Sequence, residues 1–489
     1  MTRRRARTLA RSAFAAAALS LAAGTGAAQS YRVARAPQTG SAAAPNPAAD
    51  AVARAERRYL AGDFDGVVRE ADVALRQSDK NHQALYFRGS AKVELGLLRG
   101  DVEMVRGGIA DAREAISLAG RTNSKYYLPY LYGMTNLSML EGRPDHAEVA
   151  ESTADTVVSR TELDADTKAN LLYQRGLAKT YLEDVDGAVA DFSAAVRTLP
   201  SHLGAAAAKA NALSRAGRTD EARAAFDELI AGFPENPLVY NNRGMFELAA
   251  GEAGAAVDDF SRALELNPNY HFALTNRGKA ALDAGDTTAA IADFDRSLTV
   301  APDQAGVYGF RGNAKLYAGD LDGAAADQAV AVRKNPTNPI AHSDLGFVRF
   351  FQGRYADALR HFDAALRLAP TFRHLHPWRL EALRETGGNP ESDPGITLAL
   401  DNGGNGVDWV VRVLQFQLGR LTGEELLGKI DDASEQAASA QRCEAHYFIG
   451  RSREAAGDAD GAREAYRLAV ETGRKNLSAF RGAKIALGE

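Results

Sequence analysis

From Ala169 to Phe372 the chain repeats itself six times at a spacing of 34 residues, with no insertion between blocks. The blocks start at Ala169, Leu203, Pro237, His271, Ala305 and Pro339. Position 8 is Gly in five of them (Gly176, Gly244, Gly278, Gly312, Gly346), and position 20 is always Ala, from Ala188 to Ala358. Phe recurs at position 24 (Phe192, Phe226, Phe260, Phe294, Phe362), and Pro stands at position 32 of every block, from Pro200 to Pro370. A fixed period in this range belongs to stacked supersecondary units, none of which can bury its apolar face alone. Such a chain is a surface built by stacking before it is anything else.

Each block reads as two helices. Apolar and small residues fall at helical spacing in both halves, and Gly at position 15 (Gly217, Gly251, Gly285, Gly319, Gly353) supplies the turn. The Pro ends the second helix, because the residue before a proline is pushed out of the α region. Small residues at positions 8 and 20 let the helices approach closely. A 34-residue helix–turn–helix unit with small residues at 8 and 20, an aromatic at 24 and a proline at 32 resembles the tetratricopeptide repeat. The resemblance implies an all-α, right-handed α-solenoid. The template extends to Ala48–Asn81, to His82–Lys125 with about seven extra residues around Arg99–Gly108, to Leu128–Lys168 with seven after Ser159, and to Cys443–Asn476. That makes about ten repeats with a helical C-terminal cap.

Position 7 carries a second pattern. Arg54, Arg88, Arg175, Arg243, Arg277 and Arg311 occupy it, and each is matched at position 23 by an acid: Glu70, Asp111, Asp191, Asp259, Asp293 and Asp327. Four units lack the Arg (Met134, Lys209, Leu345, Ile449), and all four lack the acid as well (Ala150, Ala225, His361, Ala465). Residues that come and go together predict a bidentate bridge between the two helices of a unit. The competing reading, in which these Arg line a groove and bind an anionic partner, does not require the acid to vary with them.

Composition excludes little. A hydrophobic fraction of 45%, 25% charged residues and a net charge of −5 are ordinary, and no basic stripe calls for nucleic acid. The N-terminus is more informative. Arg3, Arg4, Arg5, Arg7 and Arg11 precede an apolar stretch from Ala13 to Ala23, and Gly26-Ala27-Ala28 then offers a small-residue cleavage site. Residues 1–28 thus read as a signal peptide with a mature start at Gln29, and 29–47 as a flexible Ala/Pro linker. The Arg run also fits a twin-Arg route, less closely than the general one. Export makes the product periplasmic or secreted; a basic tail on a cytoplasmic assembly module is the alternative. Cys443 is the single cysteine, so there is neither an internal disulfide nor a lipid-accepting Cys at the cleavage site, and no stable membrane anchor is expected.

After Phe372 the register breaks. His374–Arg384 predicts a helix, 387–406 a Gly/Asn/Asp-rich connection, Val407–Leu418 a second helix, and Thr422-x-x-Glu425 a capping box opening a short helix through Leu427 and Ile430. The order Trp409-Val410-Val411, Phe416-Gln417-Leu418-Gly419, Leu421 to Leu427, Cys443 to Gly450 and Asn476 to Ala483 resembles the C-terminal part of NlpI-type bacterial envelope repeat proteins. Those are lipoprotein adaptors that bring an envelope protease to peptidoglycan-cutting enzymes, so the resemblance implies partners among envelope proteases or peptidoglycan-processing enzymes. The organisation is therefore 48–168 with two expanded units, 169–372 regular, 373–442 divergent, and 443–489 a final repeat and cap.

No catalytic motif stands out: there is no G-x-S-x-G, P-loop or H-E-x-x-H. His374-Leu375-His376 lacks a third metal ligand nearby. Asp401–Asp408 departs from a calcium loop by Gly403 at its third position and Arg412 at its twelfth, which favours Asp408 as a helix cap. Cys443 with His446 falls on positions that the repeat assigns to packing. We expect no catalytic residue, metal or cofactor; an enzyme with a cryptic C-terminal domain is the alternative class. In the repeat family, positions 2, 5, 9, 12 and 13 of the first helices face the concave side. This implies partner-binding residues Asn170, Tyr173, Asn211, Asn241, Thr275, Lys279, Asn313, Tyr317, Phe347 and Phe351, a polar, amide-rich set with aromatic anchors suited to an extended peptide or protein loop. The aromatics fit a core equally well. Tyr126, Tyr127, Tyr130 and Tyr132 read as packing.

Overall fold

A computed structural model describes residues 46–120, 123–160, 162–401, 408–432 and 434–488. The signal peptide and nearly all of the linker lie outside the described residues, as does most of the Asp401–Asp408 loop. Twenty-five α-helices, and no strand, are found among the described residues. Two compact units divide the chain at Ala250/Gly251.

The first unit pairs α1 (Pro47–Leu60) with α2 (Phe64–Gln77), α3 (His82–Arg99) with α4 (Val102–Leu118), α5 (Tyr127–Glu141) with α6 (Asp145–Val158), α7 (Ala165–Tyr181) with α8 (Val185–Thr198) and α9 (Leu203–Arg215) with α10 (Thr219–Gly232), and ends with α11 (Pro237–Ala249). The extra residues in the second repeat do not form a loop. They lengthen α3 to 18 residues and α4 to 17, leaving a two-residue turn at Gly100 and Asp101. Adding turns to two packed helices keeps every backbone group hydrogen-bonded, which a loop of that size would not. The tyrosines at the third repeat's entrance are packing: Tyr126 stacks on Tyr86 at 4.8 Å, and its hydroxyl meets His82 Nδ1 at 2.8 Å.

The second unit continues with α12 (Ala253–Leu266), α13 (His271–Asp283) and α14 (Thr287–Val300), α15 (Ala305–Tyr317) and α16 (Leu321–Lys334), α17 (Pro339–Phe351) and α18 (Tyr355–Leu368). Each second helix stops two residues before its proline; the residue between is extended, as at Asn267 (φ −142°, ψ 95°). The divergent segment holds α19 (His376–Glu385), α20 (Pro394–Asp401), α21 (Trp409–Gln417) and α22 (Gly423–Leu427). Here the expectation needs correcting twice. Helix α20 lies inside the stretch read as a connection, with Ile396 and Ala399 buried, and α22 ends at Leu427 rather than reaching Ile430. Both expected caps are present. Asp408 accepts from the Val410 and Val411 amides, and Thr422 forms a capping box with Glu425. The last repeat is α23 (Glu435–Ala455) with α24 (Ala459–Glu471), followed by α25 (Ser478–Leu487). Because α23 begins eight residues earlier than the template, Cys443 sits in mid-helix, fully buried.

The turn at position 15 uses the left-handed region, with φ of 72° at Gly217, 87° at Gly285, 83° at Gly319 and 70° at Gly353. In the first regular block Glu183 stands there at φ 67°, the one non-glycine with positive φ among the described residues. A side chain costs about 1 kcal/mol or more in this conformation, and the greater chain entropy of glycine offsets part of that. Glu183→Gly should stabilise the protein by roughly 0.5–1 kcal/mol in urea denaturation; a loss of stability would mean that the interactions of Glu183 outweigh its backbone strain.

Candidate functional site

The inner face of a repeat is set by how its two helices lock together. At the crossing, position 8 lies against position 24. A Cβ added to Gly278 would stand 2.8 Å from Phe294, one on Gly346 2.7 Å from Phe362, and one on Gly176 2.5 Å from Phe192. The same arrangement joins Gly450 to Tyr466. Phe192, Phe226, Phe260, Phe294 and Phe362 are all fully buried.

Beside this contact lies the position-7 arginine. Arg277 Nε and Nη2 donate to the two carboxylate oxygens of Asp293, both at 2.8 Å. Arg311 holds Asp327 in the same way at 2.7 and 2.6 Å, Arg175 holds Asp191, and Arg88 holds Asp111 across the longer spacing. Arg54 reaches Glu70 through Nε alone at 2.8 Å. Arg243 and Asp259 belong to different units. Lysines one turn later join the buried acids: Lys92 on Asp111, Lys179 on Asp191 and Lys315 on Asp327.

The remaining Nη1 makes a contact that the i+16 pattern alone did not reveal. It reaches back 16 residues to the second helix of the preceding repeat: Arg88 to Asp72, Arg243 to Asp227, Arg277 to Ser261 Oγ and Arg311 to Asp295, at 2.6 to 3.0 Å. Arg175 reaches Asp155. Arg88, Arg175, Arg277 and Arg311 thus each tie three helices, one of them in the previous repeat. The contact also corrects the register break. Arg379 on α19 donates to Asp363, again 16 residues back, so the period runs half a repeat past Phe372 before Asp393 takes up the other arm.

With the arginines consumed by the scaffold, the ten expected inner-face residues fall into distinct settings. Asn170 and Asn241 are buried, their amides donating to the Asp166 carbonyl and to Met245 Sδ. Phe347 is also buried, edge-on to Phe362 and Trp378, and Phe351 packs beside it against the same indole. Those four are held by neighbours in the core. Tyr173 is half-buried against Phe192 and His202, and burial pushes its phenol up to about 12. Thr275 bonds Ser297 at 2.8 Å, and Lys279 lies over the Phe310 ring at 5.3 Å. Asn211 is half-buried and Tyr317 39% exposed. Asn313 bridges Gln328 and Asp344.

The residues weighed for chemistry are quiet. Burial pushes the Cys443 thiol up to about 11, far from a reactive thiolate. Burial, with Arg379 and Arg373 nearby, brings His376 down to about 4, and a metal cation would meet the same field. Among the described residues no group of three or more His, Cys, Asp or Glu converges in a way that could hold a metal. No described helix is long and apolar enough to cross a membrane.

Tetratricopeptide-repeat family models match residues 207–271, 275–339 and 339–372. The chain carries tetratricopeptide repeats. No curated protein matches it. Solved structures resemble parts of the chain at low identity. They include PilF of Pseudomonas aeruginosa (19% identity over 42% of this chain and 94% of that one, TM-score 0.38). Others are PilW, a type IV pilus biogenesis factor (19%, 47% and 98%, 0.36), and YrrB, described as having an unusual peptide-binding site (19%, 40% and 97%, 0.33).

Two outcomes follow from the tetratricopeptide geometry. Arg277→Met should cost roughly 2–3 kcal/mol, because Asp293 is left buried without its partner, and adding Asp293→Ala should recover most of that loss. A double-mutant cycle by denaturant unfolding measures this, and strictly additive losses would refute the coupling. Separately, Glu94 is 6% exposed at position 13 of the second repeat, and burial raises its carboxyl from 4.5 to about 7. Because the folded value is raised, the stability this group contributes is complete below 4.5 and is lost as pH rises through 7. Glu94→Gln should therefore be more stable than the parent at pH 8, by up to ~3 kcal/mol, with a flatter stability profile between pH 4.5 and 7.

Proposed function

We propose that this chain is a non-enzymatic scaffold of the bacterial cell envelope that binds extended peptides or loops of partner proteins along the inner faces of its repeats. Residues 1–28 are its signal peptide, which makes the product periplasmic or secreted, and 29–45 a linker that stops before Asn46, the cap of α1. The observation that carries the reading is the division of labour on the first helices. The guanidinia of Arg54, Arg88, Arg175, Arg277 and Arg311 are spent on their own repeats' carboxylates, whereas Asn211, Lys279 and Tyr317 on the same row of helices keep part of their surface accessible. Partner recognition then rests on amide, cation and aromatic groups, a combination suited to backbone carbonyls and mixed side chains rather than to a polyanion. Stacked repeats supply an extended surface of this kind as a consequence of their geometry. The resemblance over Trp378–Leu487 supports envelope proteases or peptidoglycan-processing enzymes as the partner class.

The experiment is photo-crosslinking in living cells with benzoylphenylalanine placed at Asn211 and Lys279, with Asp258 on α12 as an outward control, together with N-terminal sequencing of the chain. Envelope proteins captured at the first two positions but not the third, and a mature start at Gln29, are the expected results. An intact Met1 in the cytosol would remove export from the reading, and identical capture at all three positions would remove the inner face as the binding surface.

A further inference from the structure

The C-terminal helix does more than cover the last repeat. Helix α25 packs on α23 and α24, as a cap must, and it also touches α17, the first helix of the last regular block. Ala479, Phe480 and Ala483 enter the aromatic core, and Gly482 lies so close to Tyr447 that a Cβ would stand 2.7 Å from its ring. This packing directs Arg481 onto Tyr317, the last residue of α15. Its guanidinium carbon lies 4.9 Å from the centroid of the Tyr317 ring, and Nη1 donates to the Tyr317 hydroxyl at 2.5 Å. Nη2 is held by Ser478 Oγ at 3.1 Å, while Nε is buried with no acceptor.

Next to this contact runs a polar chain rooted in the core. Position 24 of the fifth regular block is Gln328 where the other five have Phe, and it is fully buried. Gln328 Nε2 donates to the Gly309 carbonyl and to Asn313 Oδ1, both at 3.0 Å, and Asn313 Nδ2 donates to Asp344 Oδ2 at 3.2 Å. Replacing a core aromatic by an amide is costly unless the amide fixes something. Here it fixes the direction of Asn313 and, through it, of the Asp344 carboxylate. Asp344 receives that one hydrogen bond and no ion pair. Burial raises its carboxyl to about 6, which Asn313 and the field of Arg481 only partly oppose.

We propose that Tyr317, Asn313 and Asp344 form a receptor for an arginine side chain, that Arg481 occupies it from within the chain, and that an arginine-bearing peptide segment of a partner protein is its intermolecular ligand. The seat has the parts that select a guanidinium over an ammonium: an aromatic face for the planar group, a hydroxyl at its edge and a carboxylate beyond. Arg481 satisfies it incompletely. It lies on the ring but stops short of pairing with Asp344, and its Nε goes without an acceptor. A guanidinium arriving on a separate peptide, free of the α25 backbone, can approach Asp344 while remaining on Tyr317. Until then the tethered arginine competes at the high effective concentration of an intramolecular group. The proposal rests on the scaffold reading, to which it adds a ligand chemistry and a self-occupied state.

The test is a titration of the full chain with the labelled peptide Gly-Ser-Gly-Arg-Gly-Ser-Gly and with its lysine and citrulline counterparts, followed by fluorescence anisotropy. Arg481→Ala should bind the arginine peptide about tenfold more tightly than the parent, as expected when a tethered competitor is removed. Adding Asp344→Asn or Tyr317→Ala should abolish the gain, and the lysine and citrulline peptides should gain nothing. Arg481→Lys, which keeps the charge but not the planar fork, should also open the site; it serves in place of Arg481→Ala if thermal melting shows that variant to be unfolded. Equal binding of all three peptides, no change on removing Arg481, or a gain that survives Asp344→Asn would each overturn the proposal. These outcomes are independent of the crosslinks at Asn211 and Lys279, so a failed receptor leaves the scaffold reading standing.

Discussion

Two helices of one repeat meet where position 8 has no side chain and the ring at position 24 fills the space. With 2.5 to 2.8 Å between the ring and a Cβ that is not there, the interhelical distance in these repeats is set by glycine against aromatic, not by the average bulk of a leucine-rich interface. Every other regularity depends on that distance. The guanidinium at position 7 can bridge to position 23 in bidentate geometry because the helices are held this close, and its third donor reaches the previous repeat because consecutive repeats are stacked with the same offset.

The arginine fork is one of two solutions to a single packing problem. Where it is absent, Met134, Leu345 and Ile449 are buried apolar residues at position 7, and Lys209, the exception, pairs with Glu228 instead. A buried ion pair and an apolar pair of similar volume stabilise a fold by comparable amounts, whereas half of an ion pair is strongly destabilising. That asymmetry accounts for the joint presence or absence of Arg and acid. It also bears on function. A guanidinium whose three nitrogens are each engaged within the scaffold has little left to offer a ligand, so Arg88, Arg175, Arg277 and Arg311 are architectural.

How much of this was legible in the sequence differs by kind of interaction. The period, the turns and the i+16 pairing depend on residues at fixed offsets, and a repeat exposes such offsets directly. The backward arm to Asp72, Asp227, Ser261 and Asp295 follows the same spacing in the other direction, but the forward acid already explains the arginine and hides it. Helix α20 was not legible because it is short and its two buried residues, Ile396 and Ala399, lie in a Gly- and Asp-rich stretch. The inner-face positions were the least legible. Asn170 and Asn241 spend their amides within their own helices, and Phe347 and Phe351 are covered by Trp378, which arrives from outside the regular array. Whether a groove position is open is decided by what later parts of the chain fold over it, and local spacing carries no record of that.

The fifth regular block is the one that lacks the aromatic at position 24, and a second change accompanies the loss. Gln328 gives up the aromatic of position 24, and Gly309 gives up the side chain that Thr275 supplies one repeat earlier. In an isolated repeat both changes would loosen the core. In place they free the Gly309 carbonyl to accept from Gln328 and turn Asn313 toward Asp344. Packing is thus exchanged for orientation at the point where the C-terminal helix brings Arg481 onto Tyr317. Stacking alone is better served by the phenylalanine of the other five blocks, so what Gln328 adds is the hydrogen-bonded direction of Asn313.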